Sequence, residues 1–146
     1  MNDVERDDLS WIEVLDGADC WRRLASQPVG RVAFIDDGHP RVLPINHAVD
    51  GNTLVFRTSS LFADTAAPVP IAFETDEYDA QSRTGWSVVV RGVLDPVVDR
   101  GEIERCERTG LLGWAPGERN HWFRIVPDRV TGRAIGRRRH AHVPEL

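Results

Sequence analysis

Two Asp-Gly pairs, Asp37-Gly38 and Asp50-Gly51, punctuate the stretch RVAFIDDGHPRVLPINHAVDGNTLVFRT at residues 31–58. Tight hairpin turns need positive φ, which glycine supplies without steric cost, so each pair predicts a reversal of the chain between two strands. The runs they separate, 32–35, 41–49 and 53–57, have strand-like composition and read as an antiparallel meander. Both faces of the middle run are partly apolar. Val42, Pro44, Asn46 and Ala48 share one face, and Leu43, Ile45, His47 and Val49 share the other. That pattern suits a barrel wall covered on its outside by helices or by a second subunit. Pro44 has no N–H to give a ladder and predicts an edge, a bulge or a break.

The remaining elements follow from caps and periods. Trp11 to Leu15 reads as a short strand. Asp16, three residues before Asp19, predicts a helix N-cap and a helix from Gly17 to about Ser26, ended by Pro28 and Gly30. Residues 61–67 read as a short helix, 71–75 as a strand, and the polar run DEYDAQSRTG at 76–85 as a loop. WSVVVRGVL at 86–94 is rich in β-branched residues and predicts a strand with a bulge at Gly92. Asp99 and Glu102 fit a capping box for a helix running to about Leu112, with Ile103, Cys106, Gly110 and Leu111 on its inner stripe. GWAPG at 113–117 is a turn, 121–127 alternates as a strand, and 129–135 extends the sheet. The count is six to eight strands and two or three short helices. Regular strand-helix-strand alternation is absent, which excludes a Rossmann-type parallel sheet.

Composition narrows function. At 146 residues the chain fits one domain, with an acidic arm at 1–10, a body at 11–135 and a loose tail at 136–146. All 18 basic residues are Arg, so mechanisms that need a lysine, such as Schiff bases, covalent pyridoxal phosphate and the Walker loop, are excluded. A net charge of -5 argues against a general nucleic-acid binder, and Arg137 to Arg139 read as a solvated tail. Without a signal peptide or an apolar span, and with Cys20 and Cys106 unpaired by spacing, the expected compartment is the cytoplasm. Of five histidines, His47 beside Asn46 is the one that merits testing as a ligand, and no metal site is indicated. Arg57-Thr58-Ser59-Ser60 sets a cation and three hydroxyls at a strand end, a group able to hold an anion.

From about residue 20 to 135 a series of short motifs runs in order. It comprises Pro28-Val29-Gly30-Arg31-Val32-Ala33-Phe34, Val42-Leu43-Pro44-Ile45-Asn46, Phe56-Arg57-Thr58, Ala72-Phe73-Glu74 with Asp76, and Arg83-Thr84-Gly85-Trp86-Ser87-Val88. It closes with Trp114-Ala115-Pro116-Gly117-Glu118-Arg119 and Val130-Thr131-Gly132-Arg133. The series resembles the FMN-binding split-barrel family, the pyridoxamine 5'-phosphate oxidase-like proteins. The resemblance implies a mainly β, six-stranded antiparallel split barrel with Greek-key character. It also implies a homodimer that binds its cofactor in clefts at the subunit interface and acts as an oxidoreductase on an unidentified small molecule. In such proteins the strand ending Phe56-Arg57-Thr58 approaches the cofactor phosphate; by their own chemistry the Ser59 and Ser60 hydroxyls of this chain would add donors. Pro44-Ile45-Asn46 lies near the isoalloxazine, and Trp86 and Ser87 line the cleft. The implied cofactor is FMN, with a deazaflavin as the alternative. After Arg57-Thr58 the family usually carries a glycine and then a lysine, where this chain has Ser59-Ser60-Leu61-Phe62-Ala63-Asp64. A cofactor-free split-barrel binding dimer is therefore the competing reading.

Overall fold

A computed structural model describes residues 11–58, 62, 68–111 and 121–136. The predicted arm at 1–10, the turn at 113–117, the tail beyond residue 136 and, apart from Phe62, the helix at 61–67 lie outside the described residues. In chain order these residues form β1 (Trp11–Val14), α1 (Gly17–Ser26), β2 (Val29–Asp36), β3 (His39–Asn46), β4 (Ala48–Asp50) and β5 (Thr53–Thr58). There follow β6 (Val69–Asp79), β7 (Thr84–Pro96), α2 (Arg100–Arg108) and β8 (His121–Gly136).

Every pairing is antiparallel. The strands make one sheet in the order β3-β2-β6-β7-β8-β5-β4, with β1 added on β8. It has eight strands, within the six to eight read from the residues and two more than the resemblance implies, because the four-residue β1 and three-residue β4 join six longer ones. The run 41–49, read as one strand, is two. β3 and β4 sit at opposite ends of the sheet order although His47 alone separates them in sequence. So short a link forces the sheet to curl until β3 and β5 pack together, and the result is a split barrel. Pro44 lies on β3, an edge of the sheet order, where its missing N–H costs no ladder bond.

Both helices start where their caps predict. The Asp16 carboxylate accepts from the Asp19 N–H at 2.8 Å, and that of Asp99 accepts from the Glu102 N–H at 3.1 Å. α2 stops at Arg108 rather than near Leu112, because Gly110 takes φ 76° and turns the chain away. The expected loop at 76–85 is mostly ladder: Asp76 to Asp79 pair with Ser87 to Thr84, leaving 80–83 as the turn. Its polar side chains point into solvent, which hides the strand from a hydropathy reading. β8 runs unbroken through Pro127 because that residue faces Gly92 at the register shift of β7.

Alternation divides the packing. Phe56, Phe73, Val88, Val90, Phe123 and Ile125 point into the barrel, and Leu24 of α1 packs with them. On the other face of β5 and β8, α2 covers Val55 and Trp122 with Cys106 and Ile103. Buried Arg124 lies under the same helix. It donates to Asp50 Oδ2 at 2.8 Å, to the Thr53 hydroxyl, and to Cys106 Sγ at 3.7 Å, while Arg105 reaches Asp50 at 3.2 Å. Hydrogen bonding from Arg124 holds the Asp50 carboxyl below its ordinary value of 3.8. Cys20 and Cys106 are free and buried, and burial raises both thiols above their ordinary value.

Two outcomes follow for stability. A Cβ at Gly92 would collide with the Val126 carbonyl oxygen, whereas one at Gly17 meets nothing within 4 Å. Gly92→Ala is expected to lose about 1–3 kcal/mol in urea denaturation, and Gly17→Ala to lose nothing. Asp50→Asn leaves a buried guanidinium without its carboxylate and should lose about 3 kcal/mol at pH 7. Because the folded pKa of Asp50 is depressed, its contribution is present above 3.8 and lost as pH falls through the folded value. Urea titrations at neutral and strongly acidic pH should show the wild type and the variant converging in acid.

Candidate functional site

The end of β5 carries the most distinctive cation of the described residues. Arg57 lies opposite Trp122 of β8 in the ladder, and its guanidinium carbon stands 5.0 Å from the centroid of the indole ring. Arg57 shares the outer face of β5 with Val55, while Phe56 between them points into the barrel. Its Nε is buried and has no hydrogen-bond partner among the described residues. No ion pair joins Arg57 to a carboxylate among the described residues. Thr58 follows, half-buried, opposite His121. A half-buried guanidinium with no anion beside it among the described residues is an electrostatic asymmetry of the sort an anionic ligand corrects.

Pro44, Ile45 and Asn46 arrive at the same region from the other edge. β3 ends at Asn46, the chain steps across at His47, and β4 then pairs with β5 from Ala48 opposite Val55. Continuing that register back across His47 sets Asn46 level with Arg57. Ile45 turns inward to the core, and Pro44 on the outer face lies opposite Arg31. His47 does structural work. It is buried, its Nε2–H donates to the Leu24 carbonyl at 2.8 Å, and its ring meets Phe73 edge-on at 4.6 Å. Burial lowers its pKa and keeps it neutral.

Trp86 and Ser87 are neighbours on β7 and face opposite ways. Trp86 packs against the barrel core with the Arg23 guanidinium 5.2 Å from its ring, whereas Ser87 sits opposite Asp76 and Arg133. Asn46 pairs with Val29 of β2, and β6 separates β2 from β7, so Ser87 lies three strands from the β3 edge. At about 4.8 Å per strand that is roughly 14 Å across the sheet. No hydrogen bond, ion pair or ring contact among the described residues joins Trp86 or Ser87 to Arg57 or Thr58. The fold thus sets Asn46 level with Arg57, turns Ile45 to the core and Pro44 outward opposite Arg31, and puts Ser87 three strands from the β3 edge.

Ser59, Ser60, Asp64 and Trp114 lie outside the described residues. Phe62 is described. It packs against Phe34, Phe56 and Phe123 inside the barrel, on the side of β5 away from Arg57. In the sequence Trp122 is legible only as part of the alternating strand at 121–127. That it stacks on Arg57 is set by the β5–β8 register, and the available signal was the alternation that puts Trp122 and Arg124 on one face of residues 121–127.

Comparison with known proteins identifies the family to which this barrel is similar. The family model described as pyridoxamine 5'-phosphate oxidase matches residues 16–134. An FAD binding protein of Mycobacterium smegmatis superposes with a TM-score of 0.71 at 34% identity, covering 83% of this chain and 98% of that one. A conserved protein of unknown function from Corynebacterium diphtheriae gives a TM-score of 0.73 at 31% identity, over 84% of this chain and 97% of that one. An uncharacterised protein of Mycobacterium tuberculosis is 34% identical over 125 residues, 81% of this chain and 82% of its own length. With a split barrel closed at His47, a cation at the end of β5 and a family match over nearly the whole described body, this chain belongs to the pyridoxamine 5'-phosphate oxidase family.

Proposed function

We propose that this chain binds a phosphorylated flavin, FMN in the first place and a deazaflavin as the alternative, and acts as an oxidoreductase on a small molecule. The observation that carries the reading is Arg57: half-buried, fixed on Trp122, and without a carboxylate partner among the described residues. A phosphate is the anion that a strand-end guanidinium beside a threonine hydroxyl suits, since charge-assisted donors converge on its oxygens. The FAD binding protein of Mycobacterium smegmatis supports a flavin as the ligand class.

In this reading Arg57 and Thr58 hold the phosphate and the segment Pro44-Ile45-Asn46 borders the ring system. Bound flavin supplies the hydride and electron chemistry, and the protein supplies position and a shaped, partly dry cleft. The cleft is shared between two copies. The outer face of β2, β3, β6 and β7 leaves Val42 64% and Tyr78 66% exposed, and Ile35 and Val89 are exposed on it too, interspersed with the ion pairs of Arg31 to Glu74 and Asp76. A second protomer on this face would bury that apolar surface and bring its own Ser87 toward the first protomer's strand ends.

Titration with FMN, FAD and a deazaflavin, followed by visible absorbance and native mass spectrometry, tests the proposal. The expected result is uptake at micromolar concentration by a dimer of the 16.4 kDa chain. Arg57→Gln should weaken FMN binding by about tenfold or more and leave riboflavin, which lacks the phosphate, unchanged. Failure to take up any of the three would leave a cofactor-free binding dimer as the function of this barrel.

A further inference from the structure

We propose that Trp122 is a positioning residue for phosphate recognition, holding the Arg57 guanidinium in the orientation that receives the anion; this rests on the flavin reading. Trp122 is only 5% exposed and sits in a small cluster with Val55, Val97 and Cys106 beneath α2. The Val97 N–H donates to its carbonyl at 2.9 Å, so the backbone of this residue is tied to the end of β7 as well as to β5. A tryptophan fixed in this way presents a rigid aromatic face. The Arg57 guanidinium rests against it at 5.0 Å.

Two consequences follow from that contact. Arginine carries large rotamer freedom, and a side chain already confined by a cation–π contact loses less of it when an anion arrives. The buried Nε takes no part in pairing among the described residues, so recognition falls to the two terminal nitrogens, which form the fork that suits phosphate oxygens. With no lysine anywhere in the chain, the aim of this one guanidinium carries more of the discrimination than it would beside a second cation.

The test compares dissociation constants for FMN and riboflavin in the full-length wild type, Arg57→Gln, Trp122→Phe and Trp122→Leu, with melting temperatures alongside. The ratio of the two constants isolates the phosphate from the ring. The expected order of phosphate preference is wild type, then Trp122→Phe lower by about threefold, then Trp122→Leu lower by about tenfold, with riboflavin affinity unchanged. Trp122→Phe keeps an aromatic face in the α2 cluster, so it carries the test if the leucine variant does not fold. A wild type that prefers FMN, loses the preference in Arg57→Gln and keeps it in both tryptophan variants overturns the inference and leaves the flavin reading intact. Equal losses for FMN and riboflavin also overturn it, by showing that Trp122 acts only through packing. A wild type without preference for FMN sinks the phosphate reading itself.

Discussion

A single residue closes this barrel. β3 and β4 lie at opposite ends of the sheet order, and the chain passes from one to the other through His47 alone. A trans-peptide step covers under 4 Å, so the two sheet edges cannot drift apart without breaking a covalent path. The Nε2–H bond from His47 to Leu24 then ties that corner to α1, and the ring fills space beside Phe73. The corner also delivers Asn46 to the level of Arg57, which is how segments far apart around the sheet come to face one another.

The local grammar of the fold was legible. Both Asp-Gly turns, both Asp caps and the Gly92 bulge could be read because each is decided by a few adjacent residues and by backbone sterics. Positive φ at Gly38, Gly51 and Gly110 confirms glycine's role at three reversals. What escaped were features decided at long range. Asp76 to Asp79 form ladder although their composition reads as loop, because backbone hydrogen bonding to β7 does not depend on what the side chains do in solvent. The division at His47 escaped for a related reason. Both faces of residues 41–49 are partly apolar, and nothing in their alternation marks where one sheet edge gives way to the other.

The candidate site was legible to a similar degree. Arg57 and Thr58 stood out by chemistry at a strand end, and the structure keeps them there. Its stacking partner is sixty-five positions away in sequence and became a neighbour only through the β5–β8 register. Trp86 and Ser87 illustrate a stricter limit. Adjacent residues on one strand point to opposite faces, and here Trp86 turns to the core while Ser87 turns away from it. An indole that packs with the core and carries Arg23 on its ring is already engaged.

The two thiols have a bearing on how the barrel withstands oxidants. Redox cofactors that meet dioxygen can release peroxide, and peroxide attacks sulfur that is exposed and ionised. Cys20 and Cys106 are neither: one packs from the inner face of α1 against Gly132, the other from the inner face of α2 against Arg124, and burial raises the pKa of both. Sulfenic acid formation therefore has no ready starting point at either cysteine, and the barrel should tolerate aerobic handling without added reductant.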